Sequence, residues 1–156
     1  MYQLRAMQER DIPAVLAIQE ESYAAAVLED EAVIRSRLAA CPELAWVAED
    51  AEGVCAYLFA YQSRLGRITP LDGEFEPHAE ARRAGGRGIG PALVRRNLQQ
   101  AHAARLRYSA LVSVQDSAEF WSRQGYRAHD GLEPQQADNL ASYPIPALYM
   151  VRNLHP

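Results

Sequence analysis

At 156 residues with 49% apolar side chains, the chain has the size and composition of one domain, residues 1–156, around one core. A chain this long buries roughly 70% of its unfolded surface, so it needs no disulfide framework or structural metal. The net charge of −4 argues against general nucleic-acid binding, and no run approaches the ~20 apolar residues of a membrane helix.

The chain opens with a short strand over residues 2–7. Asp11 is placed as the cap of a helix, with Pro13 in a first turn that tolerates proline and Ile12, Val15, Leu16, Gln19 and Tyr23 at helical spacing. A second helix spans 31–39 with Val33, Ile34 and Leu38 inward, and Cys41-Pro42 stops it. Two apolar runs, 44–49 and 54–61, flank Asp50-Ala51-Glu52-Gly53 and read as a hairpin with a four-residue turn. Residues 62–73 read as a polar surface loop.

Residues 88–105 give the strongest helical pattern. Leu93, Val94, Leu98, Ala101 and Ala104 share a face that Asn97 interrupts. A strand follows at 108–114. Ser117 caps a short helix through Gln124, which Gly125 ends. Tyr126 begins another strand, 131–146 reads as a proline-bearing loop, and 147–154 forms the last strand. Helices alternate with strands while the early strands join by a hairpin. The expected architecture is α/β (α+β), a mixed, mostly antiparallel central sheet with helices on both faces.

The most informative stretch is Gly85-Gly86-Arg87-Gly88-Ile89-Gly90-Pro91-Ala92-Leu93-Val94. Glycines let a turn bring backbone amides close to a ligand, and the helix that follows adds unpaired N–H groups and its positive dipole end. Together these suit a phosphate or pyrophosphate. Charge agrees: residues 82–96 hold five arginines and no acid, whereas residues 1–81 are net −9. A P-loop is excluded because the chain has no lysine, and a dinucleotide fingerprint fails because Gly88-Ile89-Gly90-Pro91-Ala92-Leu93 ends on the wrong residue. The four histidines show no metal-ligand spacing, so no metal site is expected. The two cysteines, Cys41 and Cys55, lack a CxxC spacing and read as reduced thiols of a cytoplasmic protein, and residues 1–5 lack a signal peptide's apolar stretch.

Gly88-Ile89-Gly90-Pro91-Ala92-Leu93, followed about 30 residues later by Ser117-Ala118-Glu119-Phe120-Trp121-Ser122-Arg123-Gln124-Gly125-Tyr126, resembles the paired motifs of the GNAT acyl-CoA N-acyltransferases. The resemblance implies that Gly86, Arg87, Gly88, Ile89 and Gly90 wrap the pyrophosphate of acetyl-CoA or another acyl-CoA. It implies that Ser117 flanks the pantetheine arm and that an arginine-rich face meets the adenosine end. It also implies a small-molecule amine acceptor, no nucleic acid or membrane partner, and a homodimer, as relatives often are.

The chain departs from the family pattern in three places. Gly85 stands where the family has Arg or Gln, although Arg83 offers a second register. Residues 74–80, the counterpart of the family's central strand, are acidic and contain Pro77, and read as either a strand or a solvated loop. Trp121 stands where many relatives carry the tyrosine that protonates the leaving thiolate, and an indole cannot do so. The expected function is an N-acetyltransferase acting by direct attack of a neutral amine on the thioester, with Glu76 as the base and Glu74 and His78 as rivals. Tyr108, Tyr126, Tyr143 and Tyr149 are the candidate hydroxyls. The same departures fit an alternative, a catalytically silent acyl-CoA-binding or partner-binding domain on this scaffold.

Overall fold

The computed structural model describes residues 1–22, 30–60, 62, 64–68, 78–81, 88–114 and 117–155. Twelve elements follow in chain order among them: β1 (Gln3–Ala6), α1 (Ile12–Ser22), α2 (Glu31–Ala40), β2 (Ala45–Asp50), β3 (Gly53–Phe59), β4 (His78–Ala81), α3 (Ile89–Ala103), β5 (Tyr108–Val114), α4 (Ala118–Arg123), β6 (Arg127–Ala128), α5 (Pro134–Ala141) and β7 (Ala147–Asn153). The strands form two sheets, β1-β2-β3-β4 and β5-β7-β6, and every described pairing is antiparallel. No described helix is long and apolar enough to cross a membrane.

Strand alternation sorts the first sheet's side chains onto two helical layers. Val47, Tyr57 and Phe59 face α1 and α2, where Ile12, Val15, Ile18, Ile34 and Leu38 close the core. Ile12, Val15 and Ile18 are completely buried. Each contributes ~1.5–3 kcal/mol, more than the few tenths by which helix propensities differ, so burial fixes α1 rather than intrinsic preference. On the other face Ala48, Ala56 and Leu58 meet Leu93, Val94 and Leu98 of α3. That cluster continues into Leu111, Trp121, Tyr126 and Met150, so α3 and α4 join the two sheets through one apolar layer.

Four sequence expectations need correction. The hairpin loop is two residues, not four, because Asp50 pairs with Gly53 and a bulge between Ala48 and Glu49 takes up the extra length. Asp11 does not cap α1. A 3₁₀ turn (Glu9–Asp11) precedes it, and the Asp11 carboxylate accepts the Gln8 N–H at 2.8 Å and a two-pronged pair from Arg5 at 2.8 Å each. Ala104 is exposed because α3 ends at Ala103. Finally, the expected loop at 131–146 contains α5. Pro134 starts it at a position where the missing N–H costs nothing.

The new helix has a purpose in the fold. Gln136 and Asn139, one turn apart, grip the peptide of Ile68: its N–H donates to Gln136 Oε1 at 2.6 Å and its carbonyl accepts from Asn139 Nδ2 at 2.9 Å. The Gly66 N–H donates to the Tyr149 hydroxyl at 2.9 Å. Three hydrogen bonds thus tie residues 66–68 to α5 and β7.

Candidate active site between the two sheets

Gly88 begins the site. Its φ of 70° lies in the left-handed region, and a Cβ there would meet nothing within 4 Å. It is the residue before α3, and the Ala92 N–H donating to its carbonyl at 3.1 Å closes the first turn. The N–H groups of Ile89 and Gly90 have no partner among the described residues, and Pro91 brings none. Two donors without a partner among the described residues therefore sit at the positive end of a 15-residue helix.

The second helix start lies alongside. A Cβ on Gly90 would come within 3.1 Å of two Phe120 ring atoms, so a larger residue there would require that ring to give by a few tenths of an ångström. Ser117, expected as a side-chain cap, makes no capping bond; its hydroxyl pairs with that of Ser113 at 2.8 Å and so faces β5. Trp121 is buried and meets Phe120 and Tyr126 edge-to-face at centroid distances of 5.0 and 5.4 Å. Of the arginine-rich face, Arg95 and Arg96 are exposed, and the Arg96 guanidinium lies 5.4 Å over the Trp46 ring.

A cavity of about 260 Å³ opens along β5, against Val94, Asn97 and Ala101 of α3 and Trp121 of α4. Seven consecutive residues, 106–112, line it. A strand shows both its faces to one cavity only where its edge borders that cavity. The phase of the ladder says which peptides face in. Leu154 N–H donates to the Arg107 carbonyl at 2.8 Å, and the Tyr149 carbonyl turns away to accept from His129. By the alternation of an antiparallel pair, Ser109, Leu111 and Ser113 bond β7, while the peptides of Tyr108, Ala110 and Val112 point to the edge that no described strand pairs.

Two buried tyrosines stand on the cavity wall. Tyr126 shares a 2.6 Å hydrogen bond with Ser109, and Tyr149 accepts the Gly66 N–H. Burial raises the pKa of both; the Ser109 bond and Arg152 charge at Tyr126, and the Gly66 bond at Tyr149, only partly oppose it. Tyr108 also lines the cavity, while Tyr143 packs in a cluster with Ile68 and Tyr149.

Of the residues singled out in the sequence, Gly88, Ile89 and Gly90 start α3 and Ser117 starts α4, and Gly90 lies against Phe120 of α4. Gly86, Arg87, Glu74 and Glu76 lie outside the described residues. The ambiguous stretch 74–80 contributes to β4, in which His78 pairs with Phe59; residues 74–77 lie outside the described residues. Sequence reasoning missed three contributors. Asn97 lines the cavity rather than merely interrupting an apolar face, and Arg64 and Arg67 reach it from the polar loop. Two arginines with no acid in residues 62–71 were the available signal.

No family model matches the sequence, and no curated protein matches it significantly. Solved structures do match in shape. The chain has a GNAT-like fold. It is similar to Ard1 from Thermoplasma volcanium (19% identity, 97% of each chain, TM-score 0.73). It is similar to the loading GNATL domain of CurA from Lyngbya majuscula (12% identity, 99% of this chain and 98% of the other, TM-score 0.74). A third is Rv2747 from Mycobacterium tuberculosis in complex with CoA (19% identity, 97% and 98%, TM-score 0.70). At such identities the likeness establishes the fold and leaves the chemistry to the site.

Proposed function

We propose that this protein is a cytoplasmic N-acetyltransferase that takes acetyl-CoA as co-substrate and transfers the acetyl group to the primary amine of a small molecule. The observation that carries the reading is the pair of N–H groups on Ile89 and Gly90 that have no partner among the described residues, at a helix start whose Gly90 lies against Phe120 of the helix that Ser117 precedes. Free amides at a helix N-terminus suit a diphosphate. A strand edge that no described strand pairs suits an extended arm carrying amide groups, such as pantetheine. In this reading Gly86, Arg87, Gly88, Ile89 and Gly90 hold the diphosphate, and Ser117 flanks the arm.

The reaction is a direct attack. Glu76 takes a proton from the ammonium, and the freed lone pair forms a C–N bond at the thioester carbonyl. The C–S bond then breaks, and the thiolate takes up the second proton, which the nitrogen sheds as the amide forms. Trp121 cannot give one. Burial keeps Tyr126 and Tyr149 protonated at neutral pH, which is the state a donor needs. Holding both substrates against one wall supplies much of the rate.

The test pairs two measurements. Calorimetry reports CoA binding, and a thiol-release assay with acetyl-CoA and an amine panel reports turnover. Binding with amine-dependent thiol release is the expected result. Binding without release for any amine would instead make this a silent acyl-CoA-binding domain. The fold itself carries more than one chemistry, since the solved structures similar to this chain include a GNAT-like decarboxylase in complex with isobutyryl-CoA. No CoA binding would remove the assignment.

A further inference from the structure

The cavity along β5 has a charge pattern that acetyl transfer alone does not require. Arg64 and Arg67 reach it from the tethered loop, and Arg107 from the start of β5. None of the three makes a side-chain ion pair or hydrogen bond among the described residues, and no described Asp or Glu lines the cavity. The remaining wall is largely apolar, with Leu58, Val94, Leu111 and Trp121 among its members. One buried polar group interrupts it. Asn97 is 8% exposed, and its Oδ1 is fully buried with no partner. Val94, Asn97 and Ala101 lie one turn apart and all line the cavity, so Asn97 borders it. A buried amide without a partner destabilises a fold unless something else uses it.

The volume limits the occupant. About 260 Å³ is roughly twenty times the ~10–15 Å³ that one water needs, and just under the ~300 Å³ at which drug-sized pockets begin. A small organic molecule or substituent fits both bounds.

We propose that this cavity binds a small organic carboxylate, with its apolar body beside Trp121 and Leu111, a polar group on that body paired to the Asn97 amide, and its acid group held at the arginine rim. Arginine suits this task because its planar fork matches a carboxylate with two parallel hydrogen bonds. The proposal deepens the acetyltransferase reading by naming a substrate class. The acid can belong to the acceptor, as in an amino acid, or to the acyl group, as in a dicarboxylic monothioester.

The test has a direct arm and two kinetic arms. In the direct arm, 3-phenylpropionate and its neutral amide are titrated into the protein by calorimetry, alone and with saturating CoA. In the kinetic arms, acetyl-CoA is paired with amino acids against their carboxamides, and succinyl-CoA is compared with butyryl-CoA on one amine. The expected result is at least a tenfold preference for the acid in the direct arm and in one kinetic arm. Preference in the first kinetic arm puts the acid on the acceptor, and preference in the second puts it on the acyl group. The combined variant Arg64→Gln, Arg67→Gln, Arg107→Gln should erase the preference while CoA affinity stays unchanged. Asn97→Leu should keep or raise the melting temperature and weaken severalfold the binding of 3-(4-hydroxyphenyl)propionate, whose hydroxyl can pair with the amide, while 3-phenylpropionate, with no polar group on its body, binds as before. If acid and amide bind equally throughout, or only water occupies the cavity and neither probe binds, the proposal is overturned. Absence of CoA binding would remove the acetyltransferase reading alone, since the direct arm does not depend on it.

Discussion

Substitution of Gly88 by aspartate separates binding from stability. A non-glycine residue at φ 70° costs roughly 1–2 kcal/mol, and open space around the position adds no steric penalty. A carboxylate at the positive end of α3 returns about 0.3–1 kcal/mol. The net loss is about 1 kcal/mol, which for 156 residues lowers the melting temperature by about 2–4 °C. The ligand feels the opposite sign. A like charge about 4 Å from a phosphate costs ~1 kcal/mol in water and ~4 kcal/mol at a partly shielded surface, so about 2 kcal/mol, or about thirtyfold in CoA affinity, is expected. Gly88→Asn carries the same backbone strain without the charge and should keep most of the affinity. Scanning fluorimetry and calorimetry on both variants read the two effects separately. An aspartate variant that binds CoA as tightly as the asparagine variant would falsify the placement of a diphosphate at this helix start.

Three further outcomes follow from the geometry. Glu76→Gln should lower kcat/KM at least tenfold at pH 7, with the gap closing toward high pH where the amine is already neutral; superimposable pH profiles would clear this residue of the base role. Asp11 is buried, which by itself raises its pKa, but the Arg5 pair and the Gln8 N–H overcome this and hold it below its ordinary value. Its contribution is therefore fully present above about pH 4 and is lost as pH falls through the depressed folded value. Asp11→Asn should cost roughly 2 kcal/mol at pH 7 and much less near pH 2 by urea denaturation; an equal cost at both would refute the ionic account. Burial, then the neighbouring Glu43 carboxylate, push the Cys41 thiol up to about 11. Native protein at pH 7.5 should resist iodoacetamide at this residue while unfolded protein reacts, as mass spectrometry of the labelled peptide will report.

Much of the fold was legible because its strongest signals are local. The strand at 108–114 matches β5 residue for residue, since an uninterrupted run of β-formers has one comfortable conformation. The long helix and its glycine start were equally clear. The errors came where a residue has two uses. Pro134 reads as a loop marker, yet at a helix start it is harmless, and the contacts that hold α5, Gln136 and Asn139 on Ile68, are 68 and 71 residues apart in sequence. Asp50-Ala51-Glu52-Gly53 looked like a four-residue turn because a bulge elsewhere in the hairpin is invisible to spacing. At the site, the glycine turn could be read from backbone chemistry alone. The cavity could not, because Arg64, Asn97 and Arg107 meet only once the two sheets are assembled.

The two sheets are joined by side chains of α3 and α4, and no described strand of one hydrogen-bonds a strand of the other. A guest lodged along β5 would therefore act as mortar between two courses of brick, contributing bonds the polypeptide leaves unmade. Occupancy and melting would be coupled: at a hundred times its dissociation constant such a guest adds about 2.7 kcal/mol to the folded state. Heating the empty protein should loosen this seam before either half gives way.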